Sequence, residues 1–75
     1  MSSTSEQKIL KAFGMRVAAV RKSRGLTQQE LAELIDMSVV SIAYIETGKR
    51  WARPGTLAKI ANALQVDIAD LFKNI

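Results

Sequence analysis

On a helix turning about 100° per residue, Val40, Ala43, Tyr44 and Thr47 fall in one sector, with Ile42 and Ile45 nearly opposite. The isoleucines belong in a core. The other four face outward, and none is charged, although an ordinary surface helix carries Lys and Glu there. The chemistry open to such a face is close contact and hydrogen bonding rather than proton transfer. Val39 and Val40 offer methyl groups, Ala43 offers room, and Ser41 and Thr47 offer hydroxyls. Tyr44 adds a ring and a phenolic hydroxyl. In a major groove each has a use. The valines meet thymine methyls, the hydroxyls bond base edges or phosphates, and the tyrosine meets a base or sugar. The competing readings are a protein–protein contact for the valines and packing against its own domain for Tyr44.

The neighbours extend the pattern. Gln28 and Gln29 open the preceding helix, where free amides and the positive end of the dipole suit a phosphate. A glutamine also clamps adenine through two hydrogen bonds. Solvated helix-start residues are the plain alternative. Ser38 sits where the next helix begins, as a cap and a backbone contact. Lys49, Arg50 and Arg53 follow that helix and suit the flanking phosphates. Residues 27–50 therefore read as two short helices joined by a three-residue turn, one resting on a DNA backbone and the next in the groove.

Other chemistries lack their residues. The chain has no Cys and no His, so disulfides, thiolate metal sites, the usual zinc ligands and the commonest general base are missing. No nucleophile–base pair or glycine-rich phosphate cradle appears, and the carboxylates serve caps or an ion pair. The expectation is a non-enzyme without cofactor or metal. The net charge of +4 is weak evidence for a polyanion partner, but its distribution says more. Lys8, Lys11, Arg16, Arg21, Lys22 and Arg24 occur with no acid among them, and Lys49, Arg50, Arg53 and Lys59 repeat the pattern. Glu30, Glu33, Asp36 and Glu46 lie between the two blocks. Solvated helix faces are the competing reading.

The elements that must position these residues are helical throughout. With 75 residues, 48% of them hydrophobic, the chain is expected to be one domain, 1–75, with residues 1–5 disordered. Ser3 with Glu6, or Thr4 with Gln7, has capping-box spacing for a first helix carrying Ile9, Phe13, Val17 and Val20. Gly14 weakens that helix by about 1 kcal/mol relative to alanine, so it is expected to be firm from Phe13 onward. Gly25 ends it. Thr27 and Glu30 form a second capping box, and Leu31, Ala32 and Ile35 make a buried stripe. Asp36 takes the sharp turn, Ser38 caps the third helix, and Gly48 ends it. Pro54 opens a fourth helix with Leu57, Ile60, Ala61 and Leu64. Asp67 caps a short fifth with Ile68, Leu71 and Phe72. No segment alternates in the manner of a strand. No apolar run approaches the roughly 18 residues of a membrane span, and the start lacks the apolar stretch of a secretion signal. The expected setting is the cytoplasm of a prokaryote or phage host, at the nucleoid.

FGMRVAAVRKSRGLTQQELAELIDMS, then SIAYIETGKR, then TLAKIANALQVDIADLF carry a specific likeness across nearly all of Phe13 to Phe72. In order and spacing the chain resembles the lambda-repressor and Cro type of helix-turn-helix regulators, the XRE family. The resemblance implies an all-α, five-helix lambda-repressor-like domain and a dimer on a pseudo-palindromic double-stranded DNA operator. It implies base or phosphate contacts for Gln28, Val39, Val40 and Tyr44, and backbone contacts for Lys49 and Arg50. It also implies an ion pair between Arg21 and Glu46. Asp36 and Gln65 stand where the family usually has Gly, each at a strain of about 1 kcal/mol. Valines stand where it usually has Gln, Arg, Ser or Thr, which shifts part of the specificity toward DNA shape.

A homodimer must use the domain's own surface. Trp51, Leu64, Val66 and Ile68 are the candidates, with core completion as the alternative. For Trp51 a lid on the core is the favoured role, beside dimer and DNA-backbone contacts. The subtypes compatible with this size are a phage-type repressor, a restriction-modification controller and an antitoxin. An activator would also need RNA polymerase or a partner protein, for which Glu30 and Glu33 offer a surface. The alternative function is a protein–protein adaptor that uses the same fold without DNA.

Overall fold

The computed structural model describes the chain from Ser2 to Ile75, with side chains from Ser5 onward. Its elements are α1 (Ser2–Ser23), α2 (Gln28–Leu34), α3 (Val39–Glu46), α4 (Pro54–Leu64) and a 3₁₀ helix (Ile68–Phe72). No strand occurs among the described residues. The caps expected at Ser3 and Thr4 rest on side chains outside that description, and of the residues 1–5 expected to be disordered Met1 lies outside it while the other four belong to α1.

Local chemistry sets the helix ends. Thr27 Oγ1 accepts from the Glu30 N–H at 3.0 Å, and Glu30 Oε1 accepts from the Thr27 N–H at 2.8 Å, which closes the expected capping box of α2. Ser38 Oγ accepts from the Ser41 N–H at 3.1 Å and caps α3. Pro54 is the first residue of α4, where its missing N–H costs nothing.

All four α-helices end on a left-handed residue: Gly25 (φ 73°), Asp36 (φ 55°), Gly48 (φ 77°) and Gln65 (φ 60°). In each case the N–H of the following residue reaches back five positions: Leu26 to Arg21, Met37 to Ala32, Lys49 to Tyr44, and Val66 to Ala61, at 2.8–3.2 Å. The same device thus closes every α-helix, twice without the glycine it favours.

Two expectations need correction. The fifth helix is 3₁₀ rather than α. Asp70 Oδ2 accepts from the Asp67 N–H at 3.0 Å, and the Asp70 N–H donates to the Asp67 carbonyl at 2.9 Å. That i→i+3 pattern over five residues is the tighter winding usual in short pieces. The first helix also does not become firm only at Phe13, because α1 runs unbroken through Gly14. Gly14 is buried where α3 crosses α1. A Cβ there would lie 2.6 Å from the Glu46 carbonyl oxygen and closer still to that of Ile45. The residue that weakens the isolated helix therefore admits the backbone of α3.

The core draws on every element. Phe13, Val17, Leu31, Ile42, Ile45, Ile60, Leu64 and Leu71 are fully buried. Ala52 joins them from the loop before α4. With 22 residues at about 1.5 Å rise each, α1 is the longest element; α3 and the 3₁₀ helix pack against it, while α2 packs on α3 and α4 on the 3₁₀ helix and α2.

Candidate nucleic-acid interface

Helix α3 is held from behind. Ile42 and Ile45 enter the core, and Glu46 beside them is only 7% exposed. Glu46 Oε2 accepts from Arg21 Nε at 2.7 Å, and Glu46 Oε1 accepts from Arg21 Nη2 at 3.0 Å. Arg21 Nη1 also donates to the Leu26 carbonyl at 2.6 Å. The hydrogen bond to Glu46 raises the Arg21 pKa above its ordinary value, against the opposing pull of burial, so this cation stays charged. One guanidinium thereby ties α1, the loop before α2, and α3 together. The pairing implied by the resemblance is present as geometry.

The outward side of α3 is open. Val39, Val40 and Tyr44 are 37%, 54% and 40% exposed. Ser41 and Ala43 are half-buried beside them, and Thr47 is exposed immediately after the last helical residue. The ridge derived from helical periodicity therefore exists, and among the described residues it stays open apart from the Arg50 side chain, which lies against Tyr44 and Ser41.

Its hydrogen-bonding capacity is narrower than the residue types suggest. The Thr47 hydroxyl donates to the Ala43 carbonyl at 2.7 Å, a bond within its own helix. The Ser41 hydroxyl oxygen accepts from Ser38 Oγ at 2.9 Å. Gln28 Nε2 donates to Glu46 Oε1 at 2.9 Å, so one amide proton is committed to the buried ion pair. That bond turns Gln28 toward the body of the domain and away from a free two-point adenine clamp. Gln29 Nε2 donates to Glu33 Oε2 at 3.3 Å on the surface.

The basic residues divide into two groups. Arg16 Nε donates to the Asp70 carbonyl at 2.7 Å, and Arg24 Nε donates to the Leu64 carbonyl at 2.8 Å. With Arg21, these cations of the first block serve internal bonds, and two of them tie down the ends of α4 and the 3₁₀ helix. Only Lys8, Lys11 and Lys22 of that block are free surface charges. Lys49, Arg50 and Arg53 are exposed around the end of α3 and the start of α4. Arg50 does not extend away from the ridge. Its Cζ lies 5.3 Å from the Tyr44 ring centroid, and Nη1 is 3.5 Å from Ser41 Oγ.

The residues considered for self-association also divide. Leu64 is fully buried in the chain's own core, so its side chain has nothing to offer a second copy. Val66 is half-buried, Ile68 is 42% exposed and Trp51 is 44% exposed. One side of Trp51 packs on the Phe13 ring at 5.0 Å between centroids, and Phe13 stacks on Phe72 at 4.9 Å. Trp51 is thus a lid on an aromatic cluster with its outer face free.

Sequence reasoning missed the internal duties of Arg16, Arg24 and Gln28, because their partners lie 54, 40 and 18 positions away. No local spacing signals such bonds.

Comparison with known proteins bears on this geometry. The model of the family described as helix-turn-helix (HTH_3) matches residues 17–71. The HTH-type transcriptional repressor RghR of Bacillus subtilis (strain 168) is 38% identical over 64 residues, which are 84% of this chain and 47% of that protein. The chain spans about half the length of the curated relatives it matches. Among solved structures, the restriction-modification controller protein C.AhdI of Aeromonas hydrophila superposes with a TM-score of 0.82 at 32% identity. That match covers 84% of this chain and 96% of the other. The clp gene regulator ClgR of C. glutamicum matches with a TM-score of 0.82 at 28% identity, over 85% of this chain and 82% of the other.

Proposed function

The chain belongs to the helix-turn-helix family, and on that premise we propose that it is a sequence-specific DNA-binding transcriptional regulator. It inserts α3 into the major groove of a pseudo-palindromic operator and acts as a dimer. One observation carries this reading: Val39, Val40 and Tyr44 stand clear on a helix whose opposite side is anchored by the core and the Arg21–Glu46 pair. A ridge of uncharged α3 side chains, with Arg50 lying against it and Lys49 and Arg53 exposed beside it, fits a groove between two phosphate strands.

Two domains one DNA turn apart double the contacts that a single reading helix makes. Of the four candidates, Trp51, Val66 and Ile68 keep apolar surface for a second copy. The subtype is a restriction-modification controller, a phage-type repressor or an antitoxin, and the likeness to a restriction-modification controller over 84% of this chain supports the first. A neighbouring restriction, phage or toxin gene decides between them. Contact with RNA polymerase would rest on the exposed carboxylates of Glu30 and Glu33. A cytoplasmic setting follows from this function, and no described helix is long and apolar enough to cross a membrane.

The test is selection of bound duplexes from a random pool, followed by a salt titration on the enriched sequence. A palindromic consensus bound with a steep salt dependence is expected. Absence of binding to any duplex at low salt would overturn the reading in favour of an adaptor that uses the valine ridge against a protein.

A further inference from the structure

The ridge of α3 is short of hydrogen-bond donors. Val39, Val40 and Ala43 present carbon only, and the Thr47 proton is committed to the Ala43 carbonyl. Yet one planar group with several donors lies on the same face, supplied from outside the helix. The Lys49 and Arg50 N–H groups both donate to the Tyr44 carbonyl, at 2.8 and 3.2 Å, and fold the chain back against the end of α3. From there the Arg50 side chain runs back toward the start of α3. Its guanidinium lies over the Tyr44 ring, 5.3 Å from the centroid, and reaches to 3.5 Å from Ser41 Oγ.

We propose that Arg50, held on Tyr44, is a base-reading residue that recognises a guanine in each half-site, rather than one more clamp on the phosphates. This deepens the DNA-binding reading and rests on it. Three observations support it. The guanidinium overlies two residues of the reading face, Ser41 and Tyr44, whereas a backbone clamp points away from that face. The aromatic support restricts a side chain that otherwise loses much freedom on binding. The base edge that offers two acceptors side by side to such a fork is guanine, through O6 and N7. Val39 and Val40, at the other end of the ridge, then meet thymine methyls, and Lys49 keeps the phosphate role. The hydrogen-bond discrimination that the valines lack is restored from the loop.

The test compares the full chain with Arg50→Gln. Duplexes are selected from a random pool with the wild type. Affinities are then measured for the enriched operator and for the same operator with each guanine replaced in turn. The wild type should show one guanine per half-site whose replacement weakens binding by about 5- to 150-fold. In Arg50→Gln that ratio should fall to near one, or turn toward adenine, with preferences at the other positions kept. Arg50 is exposed, and an unchanged thermal midpoint shows that the variant folds. If Arg50→Gln weakens every duplex by the same factor and leaves the guanine ratio intact, Arg50 is a phosphate contact and the inference fails alone. A wild type that enriches no sequence overturns the function and the inference together.

Discussion

Arg21 and Glu46 meet through two hydrogen bonds, at 2.7 and 3.0 Å, with both side chains less than a tenth exposed. They join the longest helix, α1, to the end of α3. The geometry of the ridge is therefore coupled to an ion pair on the far side of α3.

Removing one partner leaves the other charged in a dry site. Glu46→Ala should cost about 3–5 kcal/mol, a large share of the roughly 4–11 kcal/mol available to a domain of this length. It also strips Gln28 of its acceptor. Urea denaturation reads the loss directly. The double variant Arg21→Met/Glu46→Leu should recover most of it, since two apolar groups carry no uncompensated charge. A single-variant loss below about 1 kcal/mol would show that the pair is not buried in solution.

Gly14→Ala sets two effects of opposite sign against each other. Helix propensity alone favours alanine by about 1 kcal/mol. The new Cβ, however, would overlap the carbonyl oxygens of Ile45 and Glu46, which belong to backbone and cannot rotate away. Overpacking should win, with a net loss of about 1–3 kcal/mol and a disturbed α1–α3 crossing. A raised thermal midpoint would mean that the two helices are further apart.

Asp36→Gly and Gln65→Gly should each stabilise, by up to about 1 kcal/mol. Both residues hold a left-handed backbone that glycine adopts without strain, although glycine also loses more freedom on folding. Differential scanning calorimetry should show a rise of up to about 4–8 °C for each. Gln65 should gain more than Asp36, because aspartate tolerates that conformation better. The Arg24 contacts at this corner are to backbone carbonyls and remain in place.

Arg16→Met should lower stability by about 1 kcal/mol while leaving the salt dependence of DNA binding unchanged, since its guanidinium serves the Asp70 carbonyl. Lys49→Met should do the reverse, flattening the salt slope by about one unit with little effect on folding. Equal slopes for wild type and Lys49→Met would remove that lysine from the phosphate contacts.

The sequence by itself determined α2, α3 and α4, the caps at Thr27 and Ser38, and the outward ridge. Thr27 with Glu30, Ser38 before α3, Gly25 and Gly48 after helices, and Ile42 and Ile45 opposite Val40 and Tyr44 are relations within a few residues. Helical periodicity and capping act over that range, so the pattern of types and spacings is enough. Tertiary structure alone decided which charged and polar groups remain available. Arg16, Arg24 and Gln28 look like surface residues until distant carbonyl and carboxylate oxygens are brought to them. Leu64 becomes core rather than interface, Gly14 becomes a crossing point, and Arg50 turns onto the outward face of α3. A donor takes the acceptor that folding places nearest, and sequence separation carries no information about that distance.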